Sequence, residues 1–475
     1  MRKRNLALSC ALALGAATLT LAPAATARPA PLHGDFNGDG FTDLAVGLPA
    51  ANVSGHTGAG YVNVVWGGPG GLGARGSSTY SQNSAGIPGT SESGDHFGYA
   101  VSPADLNGDG YADLAVSAPD ETLDTPGESR EGALYVLWGS AKGLTSGTTT
   151  AKGHDEAHIG RLLNTGDYDH DGHGDLAYSS NGEETAALRL RPGPQTSAAA
   201  STVIRNWHFA GPSALATADF DGDGGDDLAV TYSGMEDQGT FVTSKPATGD
   251  WTTSWTTGDH GAALAAGDFD GDGTQDLAIG LVEPNPEVEE TYCPKDRTGG
   301  AVALISGAAG TTLGGDWDCT TQDSPYVGGT GEPEDDFGAA LATVHAGSPD
   351  GSDALLVGIP HETVGTKERA AGAYAFLETV YREPVLEGPL VTQNSAQVAG
   401  TSEFNDRFGS ALAAADHDGD GYPDLAVGAP GENGSTGGVW FKKGAEKPAL
   451  TDTVSVTPKK LGLSGAVGHG TVLGH

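Results

Sequence analysis

One pattern recurs along this 475-residue chain and constrains all else: D-x-[DN]-x-D-G-x-x-D-L-A. Its copies are DFNGDGFTDLAVG from Asp35, DLNGDGYADLAVS from Asp105, DYDHDGHGDLAYS from Asp167, DFDGDGGDDLAVT from Asp219, DFDGDGTQDLAIG from Asp268 and DHDGDGYPDLAVG from Asp416. A seventh, degenerate copy lies in AGSPDGSDALLVGIP, residues 346–360. The hydrophobic anchors Val46, Val116, Tyr178, Val230, Ile279, Val357 and Val427 are spaced by 70, 62, 52, 49, 78 and 70 residues. That period is the size of a supersecondary unit, which cannot bury its own apolar face and must stack on its neighbours.

The loop spacing has a chemical logic. Oxygens at positions 1, 3, 5 and 9 converge only if the chain curls tightly about a centre. Glycine at position 6 permits the turn, and the carbonyl of position 7 can then face inward. Such a set suits a hard cation that takes six to eight oxygens. The expected ligands are Asp35, Asn37, Asp39, Phe41 (carbonyl) and Asp43 in the first loop, then Asp105, Asn107, Asp109, Tyr111 (carbonyl) and Asp113 in the second. The third and fourth are Asp167, Asp169, Asp171, His173 (carbonyl) and Asp175, and Asp219, Asp221, Asp223, Gly225 (carbonyl) and Asp227. The fifth and last are Asp268, Asp270, Asp272, Thr274 (carbonyl) and Asp276, and Asp416, Asp418, Asp420, Tyr422 (carbonyl) and Asp424. No side-chain ligand position holds His or Cys, which disfavours zinc. The alternative, bare Asp-Gly turns, leaves up to four carboxylates crowded into nine residues without neutralisation. About six calcium ions are therefore expected.

An EF-hand would need Glu at loop position 12 and flanking helices. Position 12 here is Val46, Val116, Tyr178, Val230, Ile279 or Val427, and the loop runs directly into a Leu-Ala-Val strand. Glycine-started apolar runs follow, as in GYVNVVWG from Gly60, GALYVLWG from Gly132 and GAVALISG from Gly300. These are strands bounded by turns, and no long segment has a 3.6-residue period. Seven sheet-like units that close a ring leave no exposed edge, so an all-β, seven-bladed β-propeller is expected. The segment HGTVLGH, 469–475, matches the start of the strand FGSAL, 408–412, while the chain enters at its first loop with no such strand before it. The C-terminal strand should then complete the blade that the N-terminal region begins.

Other positions recur. Gln82-Asn83-Ser84, Gly89-Thr90-Ser91-Glu92 and Phe97-Gly98 precede the second loop; Gln393-Asn394-Ser395, Gly400-Thr401-Ser402-Glu403 and Phe408-Gly409 precede the last. Gly428-Ala429-Pro430 follows the last loop. These residues resemble the FG-GAP repeat, whose name comes from a Phe-Gly and a Gly-Ala-Pro flanking the acidic loop. The similarity covers residues 31–475 and is weakest in the third and fourth units, where His158-Ile159-Gly160 replaces Phe-Gly. The family is best known from the head of integrin α chains. The resemblance implies a propeller with calcium loops on a lower face and ligand binding on the upper one. It also implies an adhesion or recognition role, although related propellers accompany phospholipase and polysaccharide-cleaving activities.

Residues 1–27 read as a cleavable signal peptide cut after Ala27, with Arg2, Lys3 and Arg4, an apolar stretch and Ala25-Thr26-Ala27; a membrane anchor is the alternative. An exported domain of residues 28–475 would then keep two cysteines. Cys293 and Cys319, 26 apart, read as one disulfide, with free thiols as the alternative. A chain with 62 acidic and 24 basic residues cannot clamp nucleic acid, and no further segment suits membrane insertion. The expected partner of this monomer is an extracellular protein or carbohydrate, met through the variable stretches 120–131, 283–299 and 361–370. No recognised catalytic motif is present. An extracellular hydrolase or lyase, or a structural cell-envelope protein, are the alternatives. His96, His170 and His417 read as solvated loop residues. Trp207, Trp251, Trp255 and Trp317 read as core or rim packing, with sugar stacking as the alternative.

Overall fold

The computed structural model describes residues 34–474, except for 123–129, 283–291, 346–351, 366–371, 445–452, 462–467 and several stretches of four residues or fewer. The signal-peptide reading, residues 123–129, 283–291, 295–296 and 366–370 of the three variable stretches, and the start of the degenerate loop fall outside the described residues.

Twenty-eight strands form seven four-stranded antiparallel sheets. The innermost strands are Val472–Gly474, Val101–Ala104, Leu163–Gly166, Ala210–Ala218, Ala263–Gly267, Ala340–Val344 and Ala411–Ala415. Each contacts the innermost strand on either side, so the sheets close into a seven-bladed β-propeller. In the six blades with an intact motif the second strand carries the Leu-Ala of the repeat at or next to its start, and in all seven it is almost wholly buried: Leu44–Leu48, Asp113–Ala118 and Asp424–Ala429 show no exposed residue. Burial on both faces explains their unbroken apolar run, because each blade packs between two others.

The first blade is assembled from both ends of the described residues. Val472–Gly474 pairs antiparallel with Leu44–Leu48, setting Val46 opposite Leu473. The closing strand thus takes the place that the matching of HGTVLGH to FGSAL assigns to it.

Neighbouring blades meet backbone to backbone. A Cβ at Gly60 would stand 2.2 Å from the Phe97 carbonyl oxygen; at Gly300, Gly372 and Gly437 the equivalent distances to Phe337, Phe408 and His469 are 2.4, 2.1 and 2.3 Å. These four glycines have φ between 66° and 101°, so a side chain there meets both strain and collision. A second contact sets Gly47 against the Gly98 carbonyl and Gly428 against the Gly470 carbonyl, at 2.1 and 2.0 Å from a would-be Cβ. The Phe-Gly and Gly-x-Pro signatures are therefore two halves of one seam. In the fourth blade Thr231 stands where Gly47 stands in the first, and its hydroxyl accepts the Gly261 N–H at 2.8 Å.

The seam between the last blade and the first departs in composition. Phe97, Phe337 and Phe408 are fully buried, but their counterpart is His469, 0% exposed, with both ring nitrogens unpaired among the described residues. His417 is also wholly buried, where other loops place Phe36, Leu106, Tyr168, Phe220 or Phe269. Its Nδ1–H donates to the Thr42 carbonyl of the first blade at 2.7 Å. This corrects the solvated-loop reading of His417. Burial pushes both imidazoles down to about 4.

Two outcomes follow for the closing seam. Removing residues 464–475 should lower the melting temperature by more than about 5 °C, since it reopens two sheet edges in a chain of this size. His469 is held neutral in the fold, so its contribution is complete above pH 6.5 and is lost as pH falls toward 4. Through this residue the protein should lose about 2 kcal/mol between pH 7 and pH 5. His469→Phe should abolish that part of the acid sensitivity in chemical unfolding curves; an unchanged pH dependence would overturn the assignment.

Candidate metal centre

The six acidic loops share one internal wiring. In the first, Asp35 at position 1 caps the turn: its Oδ1 accepts the N–H of Gly38 and Asp39 at 2.7 and 3.2 Å, and its Oδ2 accepts that of Gly40 at 2.9 Å. Asp416 repeats this with Gly419, Asp420 and Gly421 at 2.7, 3.1 and 2.9 Å. The carboxylate at position 5 turns to the N–H of position 7, as Asp39 to Phe41, Asp109 to Tyr111, Asp171 to His173, Asp223 to Gly225, Asp272 to Thr274 and Asp420 to Tyr422.

Position 9 is the anchor. Asp43, Asp113, Asp175, Asp227, Asp276 and Asp424 are between 0% and 2% exposed at the root of each loop. Asp43 Oδ2 accepts the Phe36 N–H at 3.2 Å and Oδ1 the Gly67 N–H at 2.9 Å, tying the loop to the next strand. Asp113, Asp276 and Asp424 hold Gly139, Gly307 and Gly444 in the same way. Burial, against the help of these N–H donors and reinforced by neighbouring carboxylates, raises Asp43 to about 8 and each of the other five to about 7.

The carboxylates converge. In the four loops with Asp at position 3, oxygens of positions 1, 3 and 9 lie within 4.8 Å of one another: Asp167, Asp169 and Asp175; Asp219, Asp221 and Asp227; Asp268, Asp270 and Asp276; Asp416, Asp418 and Asp424. The first two loops have Asn37 and Asn107 at position 3. Asn37 Nδ2 reaches Asp43 at 3.5 Å, and Asn107 Oδ1 accepts the Asp109 N–H at 2.8 Å. Asp169 Oδ1 and Asp418 Oδ1 are buried without a hydrogen-bond partner among the described residues. Buried acceptors aimed into an all-oxygen concavity are what a divalent cation satisfies.

Three basic side chains, which loop spacing does not reveal, partly answer this charge. Lys443 Nζ lies 2.5 Å from Asp418 and 3.1 Å from Asp420, Lys245 Nζ is 3.6 Å from Asp169, and Arg75 pairs with Asp39. His170 Nε2 stands 3.5 Å from Asp223 of the next loop, so it too serves the acidic face.

Cys293 and Cys319 are joined, with Cα atoms 5.3 Å apart. Cys319 lies in the outer strand Trp317–Thr320 of the fifth blade. Trp207 is buried, whereas Trp317 is half exposed and packs edge-on against Tyr292, which stacks on Trp255.

The FG-GAP repeat model matches residues 29–65, 97–137, 260–280 and 408–441, which lie in the first, second, fifth and seventh blades. Phosphatidylinositol-glycan-specific phospholipase D of Rattus norvegicus is 33% identical over 149 residues, 31% of this chain and 17% of that protein. Integrin alpha-PS5 of Drosophila melanogaster is 34% identical over 159 residues, 30% of this chain and 15% of that protein. Integrin alpha-5 of Xenopus laevis is 29% identical over 221 residues, 43% of this chain and 19% of that protein. The matches thus span less than a fifth of these relatives' length. With the repeats, the seams and the seven sheets together, the chain carries FG-GAP repeats within a seven-bladed β-propeller and is similar to integrin alpha chains.

Proposed function

We propose that this chain is a secreted, calcium-binding propeller that recognises an extracellular protein or glycan on the face opposite its acidic loops. The observation that carries the calcium reading is the convergence of positions 1, 3 and 9 on one centre, with the position-9 carboxylate wholly buried. A bound calcium ion would supply the countercharge each loop lacks. The carboxylates of positions 1, 3, 5 and 9 would hold it together with the position-7 carbonyl, and Asn37 and Asn107 would serve at position 3 of the first two loops. Residues 1–27 would act as the export leader, in keeping with a disulfide in the remaining chain. No helix among the described residues is long and apolar enough to cross a membrane.

The recognition reading draws on the integrin α relatives and on topology. The acidic loops join first and second strands of the blades, so the segments joining second and third strands emerge at the other end of the ring. The described residues of the variable stretches 120–131, 283–299 and 361–370 belong to these joining segments. The phospholipase D relatives favour a second reading, in which the propeller serves a hydrolytic activity on an extracellular substrate.

Two measurements test the calcium reading. Chelation with EGTA should lower the melting temperature by about 10 °C or more, because six ions bound to the folded state alone add stability by mass action; an unchanged melt would end the reading. Calcium uptake should also release protons near pH 7, since metal binding deprotonates position-9 carboxyls that burial holds near 7 in the empty loop. Apparent affinity should therefore rise from pH 6 to pH 8, and Asp276→Asn should reduce the protons released in a weakly buffered calcium titration.

A further inference from the structure

Two arginines and two histidines gather at the crossing from the second blade to the third. Asp120, 6% exposed, follows the second strand of the second blade. His96 Nδ1 donates to its Oδ2 at 2.6 Å, and His158 Nδ1 to its Oδ1 at 2.7 Å. Arg130 and Arg161 each bring one guanidinium nitrogen to Oδ1, at 3.7 and 3.6 Å. Both guanidinium groups stay largely in solvent, and Arg161 also lies 5.7 Å above the Tyr99 ring. At these distances neither arginine makes a hydrogen bond to Asp120, so their forked donors remain unspent on it.

The repeat itself shows that the scaffold does not demand this set. His96 immediately precedes Phe97; the same positions before Phe337 and Phe408 hold Asp336 and Arg407. Asp120 follows Pro119; after Pro360 and Pro430 stand His361 and Gly431. Arg161 follows Ile159-Gly160, whereas Ala339 and Ser410 follow the matching Phe-Gly pairs. Elsewhere the seam closes with a single pair, as His361 with Asp336 at 2.7 Å, or with no ion pair of this kind. At this crossing alone of the three compared, two arginines and two histidines meet one carboxylate. The imidazole hydrogen bonds and Arg161 outweigh burial and hold Asp120 down at about 2, so it stays a fixed anion that orients both rings. Asp95 and Glu121 lie behind, buried, and burial raises them to about 6 and about 7.

The geometry points to an oxyanion-binding site: Arg130 and Arg161 grip a carboxylate, sulfate or phosphate group of the ligand, while Asp120 positions His96 and His158 to face it with Nε2. Guanidinium forks match planar and tetrahedral oxyanions alike. In a chain of net charge −38, two guanidinium groups at the opposite end from the acidic loops mark one place where an acidic ligand group finds cationic partners. This deepens the recognition reading, on which its biological sense rests, by naming the chemistry of one group on the ligand.

The test uses small probes, so that it does not depend on knowing the macromolecule. Methyl sulfate, methyl phosphate and glucuronate are titrated separately by calorimetry, at fixed ionic strength and with calcium present. The expected result is saturable binding of at least one, weakened at least about tenfold in Arg130→Ala/Arg161→Ala, as befits loss of two charge-assisted contacts. Arg161→Gln should fall between, and Lys142→Ala, an exposed residue elsewhere, should bind as the wild type does. Which probe binds identifies the source as sulfate ester, phosphate ester or carboxylate. No binding of any probe by the wild type, or equal binding by the double variant with an unchanged melt, overturns the site. Either result leaves the EGTA melt untouched, so failure here is distinct from failure of the calcium reading.

Discussion

Everything in this fold depends on blades approaching one another without side chains between their backbones. At the first-to-second, fifth-to-sixth, sixth-to-seventh and seventh-to-first seams, a left-handed glycine lies against the carbonyl of the residue that opens the next blade. No other residue tolerates both the close approach and the positive φ. The cost of so many glycines is chain entropy in the unfolded state. The return is a ring in which inner strands touch all the way around, each blade presenting a two-sided apolar sheet to its neighbours. Phe97, Phe337 and Phe408 then plug the seam from one side, Phe97 packing on Tyr135 and Phe408 on Tyr374 and Trp440.

The acidic loops are the other side of the same constraint. A loop that must turn sharply between an inner strand and a fully buried second strand leaves its last residue at the root of the sheet. That residue is Asp in all six intact copies, and it fastens its own loop and, in most blades, the following strand through backbone N–H groups. Burying six carboxylates this way is unfavourable unless a cation shares the site. Lys443, Lys245 and Arg75 reach only three of the loops. Of the 62 acidic residues, 22 stand at ligand positions of these loops, so part of the negative charge that looks like surface acidity in the composition belongs to the loops.

Much of this was legible in the sequence, because repetition exposes both period and ligand spacing. The number of blades follows from aligning six copies of one motif with a degenerate seventh, and the closing strand from the match of HGTVLGH, 469–475, to FGSAL, 408–412. What alignment could not show were contacts between copies. The seam pairs Gly60 with Phe97 and Gly47 with Gly98, residues 37 and 51 positions apart in different units, so neither reads as a pair within its own repeat. His417 looked like a loop residue because its neighbours are loop residues, yet position 2 of every loop points inward and the others there are apolar. The signal for its burial was the column of Phe36, Leu106, Tyr168, Phe220 and Phe269, read across copies rather than along the chain.

The departures from the repeat carry as much meaning as the matches. His158-Ile159-Gly160 keeps the seam geometry: Ile159 is 3% exposed, and its N–H donates to the Glu131 carbonyl at 3.2 Å, as Phe97 does to Ala59. The packing position could change from Phe to Ile at little cost, and the residue before it was then free to become a histidine aimed at Asp120. A scaffold whose stability resides in glycine seams and acidic loops leaves the rim of the opposite face free to vary, one blade crossing at a time. Within 120–131, Glu121 recurs as Glu362 and Glu432 and is held by Gln82 as they are by Gln322 and Gln393, whereas Arg130 has no counterpart among those repeat positions. Residues that the scaffold does not need, gathered from two blades onto one buried carboxylate, are the mark of a site rather than of a support.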